Sequence, residues 1–146
     1  VIIEDFFPTI LDLAGIADPQ QIGGKIDGRS FIPLLRGRHD RSRDSRPLIW
    51  HFPNNWGPKG PGIGASSAIR QGDWKLIHYY EDRRFELFNL ADDIGEQRNL
   101  SATQPKIRRR LTEGLAEYLA KVGAQFPVDR KTGRPIVLSA DDTEPQ

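Results

Sequence analysis

Apolar residues recur along this chain at two spacings. Between Leu48 and Leu90 they alternate with polar residues in four short runs, the period of strands half-buried on one face. Leu48-Ile49-Trp50-His51-Phe52 is closed by Pro53, and Ser67-Ala68-Ile69-Arg70 runs into the turn Gln71-Gly72-Asp73. Trp74 to Tyr80 follows, with Trp74, Leu76, His78 and Tyr80 on one face and Lys75, Ile77 and Tyr79 on the other. Glu81-Asp82-Arg83-Arg84 turns the chain, and Phe85 to Leu90 returns. Short turns between successive runs predict an antiparallel meander. Asn54 to Gly64, dense in Gly and Pro, is an irregular loop within it.

The second spacing is helical. Ile107, Leu111, Leu115, Tyr118, Leu119 and Val122 form a stripe that predicts one long helix over 103–122. Thr103 is its expected cap, Pro105 falls in its first turn and Gly123 lies just past its end. A shorter helix is predicted over 5–15. Asp5 is its expected cap, Phe7, Ile10, Leu11 and Ala14 its apolar face, and Gly15 its stop. Ser30 to Leu35 is a further helical turn. The expected fold is α+β: a small four-stranded antiparallel sheet packed against one long C-terminal helix, preceded by a helical N-terminal arm. Residues 1–46 form the arm, 47–127 the sheet-and-helix subdomain and 128–146 an extended tail. The arm opens on an apolar helix face, which calls for a partner surface.

Composition narrows the functional classes. Of 146 residues, 37% are hydrophobic and 28% charged, enough for one core with a solvated surface. No apolar run approaches the length of a membrane helix. The net charge of +1 selects neither nucleic acid nor an acidic membrane as partner. Cysteine is absent, which removes disulfides, thiolate metal sites and a cysteine nucleophile, and leaves the compartment open. The chain opens at Val1 without methionine, charged leader or signal-cleavage pattern, so it reads as a trimmed N-terminus or as the interior of a longer protein.

Candidate chemistry is sparse. His39 lies in the arginine-rich segment 36–46, which reads as solvated surface because Asp40 and Asp44 interrupt its charge. The parity of His78 with Trp74, Leu76 and Tyr80 makes it a packed sheet residue. His51 stands at a strand end, ahead of Pro53-Asn54-Asn55-Trp56, where a polar group faces either a ligand or the fold. Asp92, Asp93 and Glu96 match no calcium-loop spacing and read as a solvated turn. Ser66-Ser67 has no base beside it in sequence, and no common hydrolase or nucleotide-binding motif occurs.

An ordered set of motifs nevertheless stands out. Asp5-x-x-Pro8-Thr9-Ile10-Leu11-Asp12-Leu13-Ala14-Gly15 is followed by Asp27-Gly28-Arg29-Ser30-Phe31-Ile32-Pro33-Leu34-Leu35. Then come Arg46-Pro47-Leu48-Ile49-Trp50-His51-Phe52-Pro53 and Ser67-Ala68-Ile69-Arg70-Gln71-Gly72-Asp73-Trp74-Lys75-Leu76-Ile77. Glu86-Leu87-Phe88-Asn89-Leu90 and Asp93-x-Gly95-Glu96-x-x-Asn99-Leu100 close the series. Over residues 1–127 their order resembles the C-terminal portion of the arylsulfatase family, in the alkaline-phosphatase-like superfamily.

The resemblance implies a parent that hydrolyses sulfuric esters with one calcium ion and a formylglycine made in a Cys/Ser-x-Pro-x-Arg motif. That motif is not in this chain, so no catalytic or metal-binding residue carries over. What it implies here is a structural subdomain, inactive alone, that buttresses an N-terminal catalytic domain and shapes its cleft. His51, Asn54, Asn55 and Trp56 are the residues expected to touch a sulfated small molecule or carbohydrate. A phosphodiester or phosphonate ester hydrolase of the same architecture, or a stand-alone binding module, are the competing readings.

Overall fold

The structure is a computed structural model and describes residues 1–16, 22, 25–38, 40, 45–54 and 64–139. It divides into two compact units, residues 1–46 and 47–146.

In the first unit a 3-10 turn, Ile3–Asp5, leads into α1, Phe6–Leu13, and a short helix α2 spans Ile32–Leu35. The polar residues of the arm motifs hold these pieces together. The buried Asp5 carboxylate accepts N–H bonds from Ile2 (3.1 Å) and Arg29 (2.9 Å), and Arg46 Nη1 donates to it at 2.7 Å. It therefore does not cap α1, as the sequence suggested: α1 has no side-chain cap bond, because the carboxylate is engaged by more distant donors. Thr9 Oγ1 donates to the Asp5 carbonyl (2.6 Å) and accepts the Phe31 N–H (3.0 Å). Gly28 is required by space, since a Cβ there would stand 1.8 Å from the Glu4 carbonyl oxygen. Phe6 meets Phe31 edge to face.

The expected apolar face of α1 is not the buried one. Pro8 and Thr9 face inward, while Phe7 and Ile10 are 48% and 60% exposed. Ile3, Leu13 and Leu35 extend this apolar surface. The hydrogen-bonding motif residues demanded the inner side, so the greasy residues took the outer one.

The second unit is the predicted meander. β1 (Leu48–Phe52), β2 (Ser66–Gln71), β3 (Trp74–Tyr79) and β4 (Phe85–Asn89) lie in sequence order, all antiparallel. The turn after β2 uses Gly72 at φ +60°. The long helix α3, Pro105–Lys121, packs across one face. Leu111, Leu115 and Leu119 meet Ile69, Leu76, Phe85 and Leu87 in a buried core. Two residues of the predicted stripe, Tyr118 and Val122, are 40% and 53% exposed, because the contact is narrower than the apolar arc; Thr112 is buried instead.

One end detail departs from expectation. Thr103 does not cap α3: its hydroxyl donates back to Leu100, and Gln104 takes the cap position without a side-chain bond. After the helix, Leu138 reaches the core, Phe126 packs against it, and Val128 bridges Pro135.

The edge of β4 is covered rather than left open. Asn99 Oδ1 accepts the Leu87 N–H (3.0 Å), Asn99 Nδ2 donates to the Phe85 carbonyl (3.1 Å), and the Leu100 N–H donates to the Leu87 carbonyl (2.8 Å). A side-chain amide thus replaces the peptide group of an absent fifth strand.

Candidate functional site

Strand register assembles a buried polar group in the second unit. His51 pairs with Ser67 across β1 and β2, and Ser67 pairs with His78 across β2 and β3. Ser67 is 1% exposed; His51 is half-buried. His51 Nδ1 lies 2.7 Å from Ser67 Oγ, and His51 Nε2 lies 2.7 Å from the Gln125 carbonyl oxygen. A carbonyl only accepts, so Nε2 carries the proton in the neutral ring. Nδ1 then accepts the Ser67 hydroxyl, and Ser67 accepts the Tyr80 hydroxyl at 2.7 Å. Burial pushes the Tyr80 phenol above its ordinary 10.0, against the opposing pull of the Ser67 bond.

Aromatic edges close the group. Phe126 meets both His51 and Tyr80 edge to face, and His78 packs against Tyr80 and Phe85. His78 is fully buried, as its parity in the strand predicted. A serine and a histidine at 2.7 Å are a nucleophile–base distance. Here the serine oxygen is buried and shared with Tyr80, and the far nitrogen of the imidazole is bound to a backbone carbonyl. The arrangement binds the end of β1 to the segment after α3; it presents no open face to a reacting group. Ser67 has no base beside it in sequence because His51 is supplied by register across residues 54–64, and Tyr80 reaches it across the β2–β3 pair.

The other predicted positions fall as follows. Asn54 is exposed just past β1. Asn55, Trp56 and His39 lie outside the described residues. The acidic run is a structural turn: Asp93 accepts the N–H groups of Gln97 and Arg98, which hold its carboxyl below the usual range, and Asp92 accepts from Asn89. Glu96 grips Lys75 through both oxygens, at 2.6 and 2.7 Å. Among the described residues no three His, Asp or Glu side chains are grouped as metal ligands, so these residues do not fit the calcium ion implied above. With no cysteine and no Ser-x-Pro-x-Arg, they do not fit a formylglycine either.

Beside this group opens a cleft of about 510 Å³. Tyr80, Glu81, Arg130 and Lys131 line it together with the apolar Ala65, Pro127 and Ile136.

Known proteins share this chain's pattern. The model of the family described as N-sulphoglucosamine sulphohydrolase, C-terminal, matches residues 1–125. A sulfatase of Formosa agariphila is 37% identical over 106 residues, covering 69% of this chain and 19% of its own length. A Delta 4,5-hexuronate-2-O-sulfatase of Bacteroides thetaiotaomicron is 35% identical over 115 residues, covering 77% of this chain and 21% of its own length. The chain thus spans about a fifth of the curated relatives it matches. Among solved structures, that of BT4656 in complex with its substrate D-glucosamine-2-N,6-O-disulfate aligns with a TM-score of 0.61 at 29% identity, over 82% of this chain and 24% of its own. A phosphonate monoester hydrolase from Silicibacter pomeroyi shares the fold at a TM-score of 0.50 and 22% identity, over 91% of this chain and 28% of its own. The ordered motifs, the meander capped by one helix and the matched span lead to one conclusion: this chain belongs to the sulfatases, in the C-terminal family of the N-sulphoglucosamine sulphohydrolase type.

Proposed function

We propose that this chain serves as the buttress and one cleft wall of a sulfuric ester hydrolase acting on a sulfated carbohydrate, and is not catalytic alone. The observation that carries the buttress role is the apolar surface of the arm. Ile3, Phe7, Ile10 and Leu13 are exposed on one short stretch, while the polar Asp5 and Thr9 are buried on its inner side. Exposed apolar surface of that kind marks an interaction site. The partner in this reading is an N-terminal catalytic domain, which holds the calcium ion and the formylglycine, and residues 1–46 are the connector to it.

The cleft wall in this reading is the loop after β1. Trp56 offers a stacking face for a sugar ring, and Asn54 and Asn55 offer hydrogen bonds to its hydroxyls. His51 stands at the root of that loop. Its ring nitrogens are engaged by Ser67 and Gln125, which favours a part as anchor of the strand end; a direct bond from Nε2 to substrate requires Gln125 to release it. A sulfated sugar is favoured because two relatives are named or shown with one: the hexuronate-2-O-sulfatase, and BT4656 with its disulfated glucosamine. The phosphonate monoester hydrolase shares only the fold, which leaves phosphoester chemistry as the second reading.

The test is kinetic, in the full-length protein that carries this chain, with sulfated monosaccharides and matched phosphoesters. Trp56→Ala is expected to raise KM about tenfold without lowering the melting temperature. His51→Ala is expected to raise KM and to lower the melting temperature as well. Unchanged kcat/KM in both variants removes the cleft-wall assignment. Turnover of an aryl sulfate by residues 1–146 alone removes the claim that the chain is not catalytic by itself.

A further inference from the structure

After α3 the chain makes a small hairpin with an unusual distribution of charge. Val128 and Pro135 bridge in antiparallel fashion, the Asp129 N–H donates to the Arg134 carbonyl at 2.9 Å, and the Ile136 N–H donates to the Pro127 carbonyl at 2.8 Å. The Asp129 carboxylate folds back into the turn and accepts the N–H groups of Lys131 (2.7 Å) and Thr132 (2.9 Å). It is the hairpin's single acid, and its Oδ1 is occupied by two N–H groups of the hairpin's own backbone. Arg130, Lys131 and Arg134 are exposed, and none makes an ion pair with a described residue. Leu138, 4% exposed in the core, fixes the base of the hairpin to the second unit.

Arg130 and Lys131 line the 510 Å³ cleft. Its apolar lining, Ala65, Pro127 and Ile136, suits the flat face of a sugar ring, and the Glu81 carboxylate, also in the lining, is an acceptor for hydroxyl groups. The volume is that of a small-molecule site. The hairpin lies beyond residue 125, where the match to the family model stops.

We infer that the hairpin cleft is a subsite for a second sulfated sugar unit, with Arg130 and Lys131 on its sulfate and Glu81 on its hydroxyls. The inference rests on the sulfated-carbohydrate reading and extends it from one ring to an oligosaccharide. Arg134 adds to the local field without lining the cleft, and its effect falls with salt.

The experiment is a binding titration of the 146-residue chain, followed by backbone amide shifts, at fixed ionic strength. The probes are a heparin tetrasaccharide, its desulfated counterpart and sodium sulfate. The tetrasaccharide is expected to shift the amides of Ala65, Tyr80 and Ile136, and the desulfated form to bind at least about tenfold more weakly. The double variant Arg130→Ala/Lys131→Ala is expected to lose about tenfold in affinity while its melting temperature stays put. The control Lys106→Ala/Arg110→Ala, which removes two exposed charges from α3, is expected to keep full affinity.

Equal losses in the two double variants overturn the subsite in favour of diffuse attraction to a polyanion. Equal binding of the desulfated form, or no tetrasaccharide binding by the folded chain, overturns it too. The parent reading fails separately, through absence of sulfate release from sulfated monosaccharides by the full-length protein.

Discussion

Arg46 Nη1 lies 2.7 Å from Asp5 Oδ1, so the last residue of the first unit closes on one of its first. The pair is buried, with Asp5 fully covered and the Arg46 side chain 11% exposed. Burial pushes the Asp5 carboxyl up. The bonds from Arg46, Arg29 and Ile2 outweigh it and hold the pKa at about 2, against 3.8 ordinarily. A depressed folded pKa means stability that is present above 3.8 and lost as pH falls toward 2. The shift corresponds to roughly 2 kcal/mol. Acid titration of unfolding, followed by circular dichroism, is expected to show this loss in the native chain and not in Asp5→Asn.

Removing Arg46 strands a buried carboxylate. Arg46→Ala is expected to destabilise the first unit by about 3 kcal/mol, and Arg46→Lys to recover only part of it, because Nη2 of the guanidinium also donates to the Asp27 backbone carbonyl. Urea unfolding of both variants decides this; equal stability of Arg46→Ala and the native chain would sink the hub.

Ser67 sits between two groups that each need it. Ser67→Ala takes the donor from His51 and the acceptor from Tyr80, and is expected to cost about 1–3 kcal/mol. Tyr80→Phe leaves the Ser67–His51 bond in place and is expected to cost less, about 1 kcal/mol. The order of the two midpoints in urea is the readout, and a reversed order contradicts the hydrogen-bond directions given above.

Alkaline pH acts on the same group. Burial raises the pKa of Tyr80, and burial together with Glu86 raises that of Tyr79, so both stay protonated in the folded chain when the unfolded chain has begun to ionise. Stability contributed in this way is complete below pH 10.0 and is lost as pH rises through the folded values. Phenolate absorbance followed alongside unfolding is expected to lag in the native chain and not in urea.

Gly114 faces Ile69 in the middle of α3. A Cβ there would stand 3.8 Å from Ile69 Cδ1, an ordinary contact. Gly114→Ala is therefore expected to stabilise the chain by about 0.5–1 kcal/mol through helix propensity. A fall in melting temperature would show that the helix cannot approach the sheet with that methyl in place.

Period and parity alone determined the four strands, their meander order, the long helix, and the burial of His78 with Tyr80. These follow from local rules, since alternation and a 3.6-residue stripe are visible without knowing any partner. The order of motifs likewise pointed to the sulfatase family. What the tertiary structure decided is where polar groups go. Asp5 and Thr103 have the chemistry of caps, yet Asp5 is claimed by donors 24 and 41 residues away and Thr103 turns back to Leu100. Ser67 acquires a base only because β1 and β2 pair in one register across a loop whose length does not dictate it. Hydrophobic pattern is a property of neighbours in sequence. Hydrogen-bond partnership, as at His51 and Gln125, 74 residues apart, is a property of the folded chain.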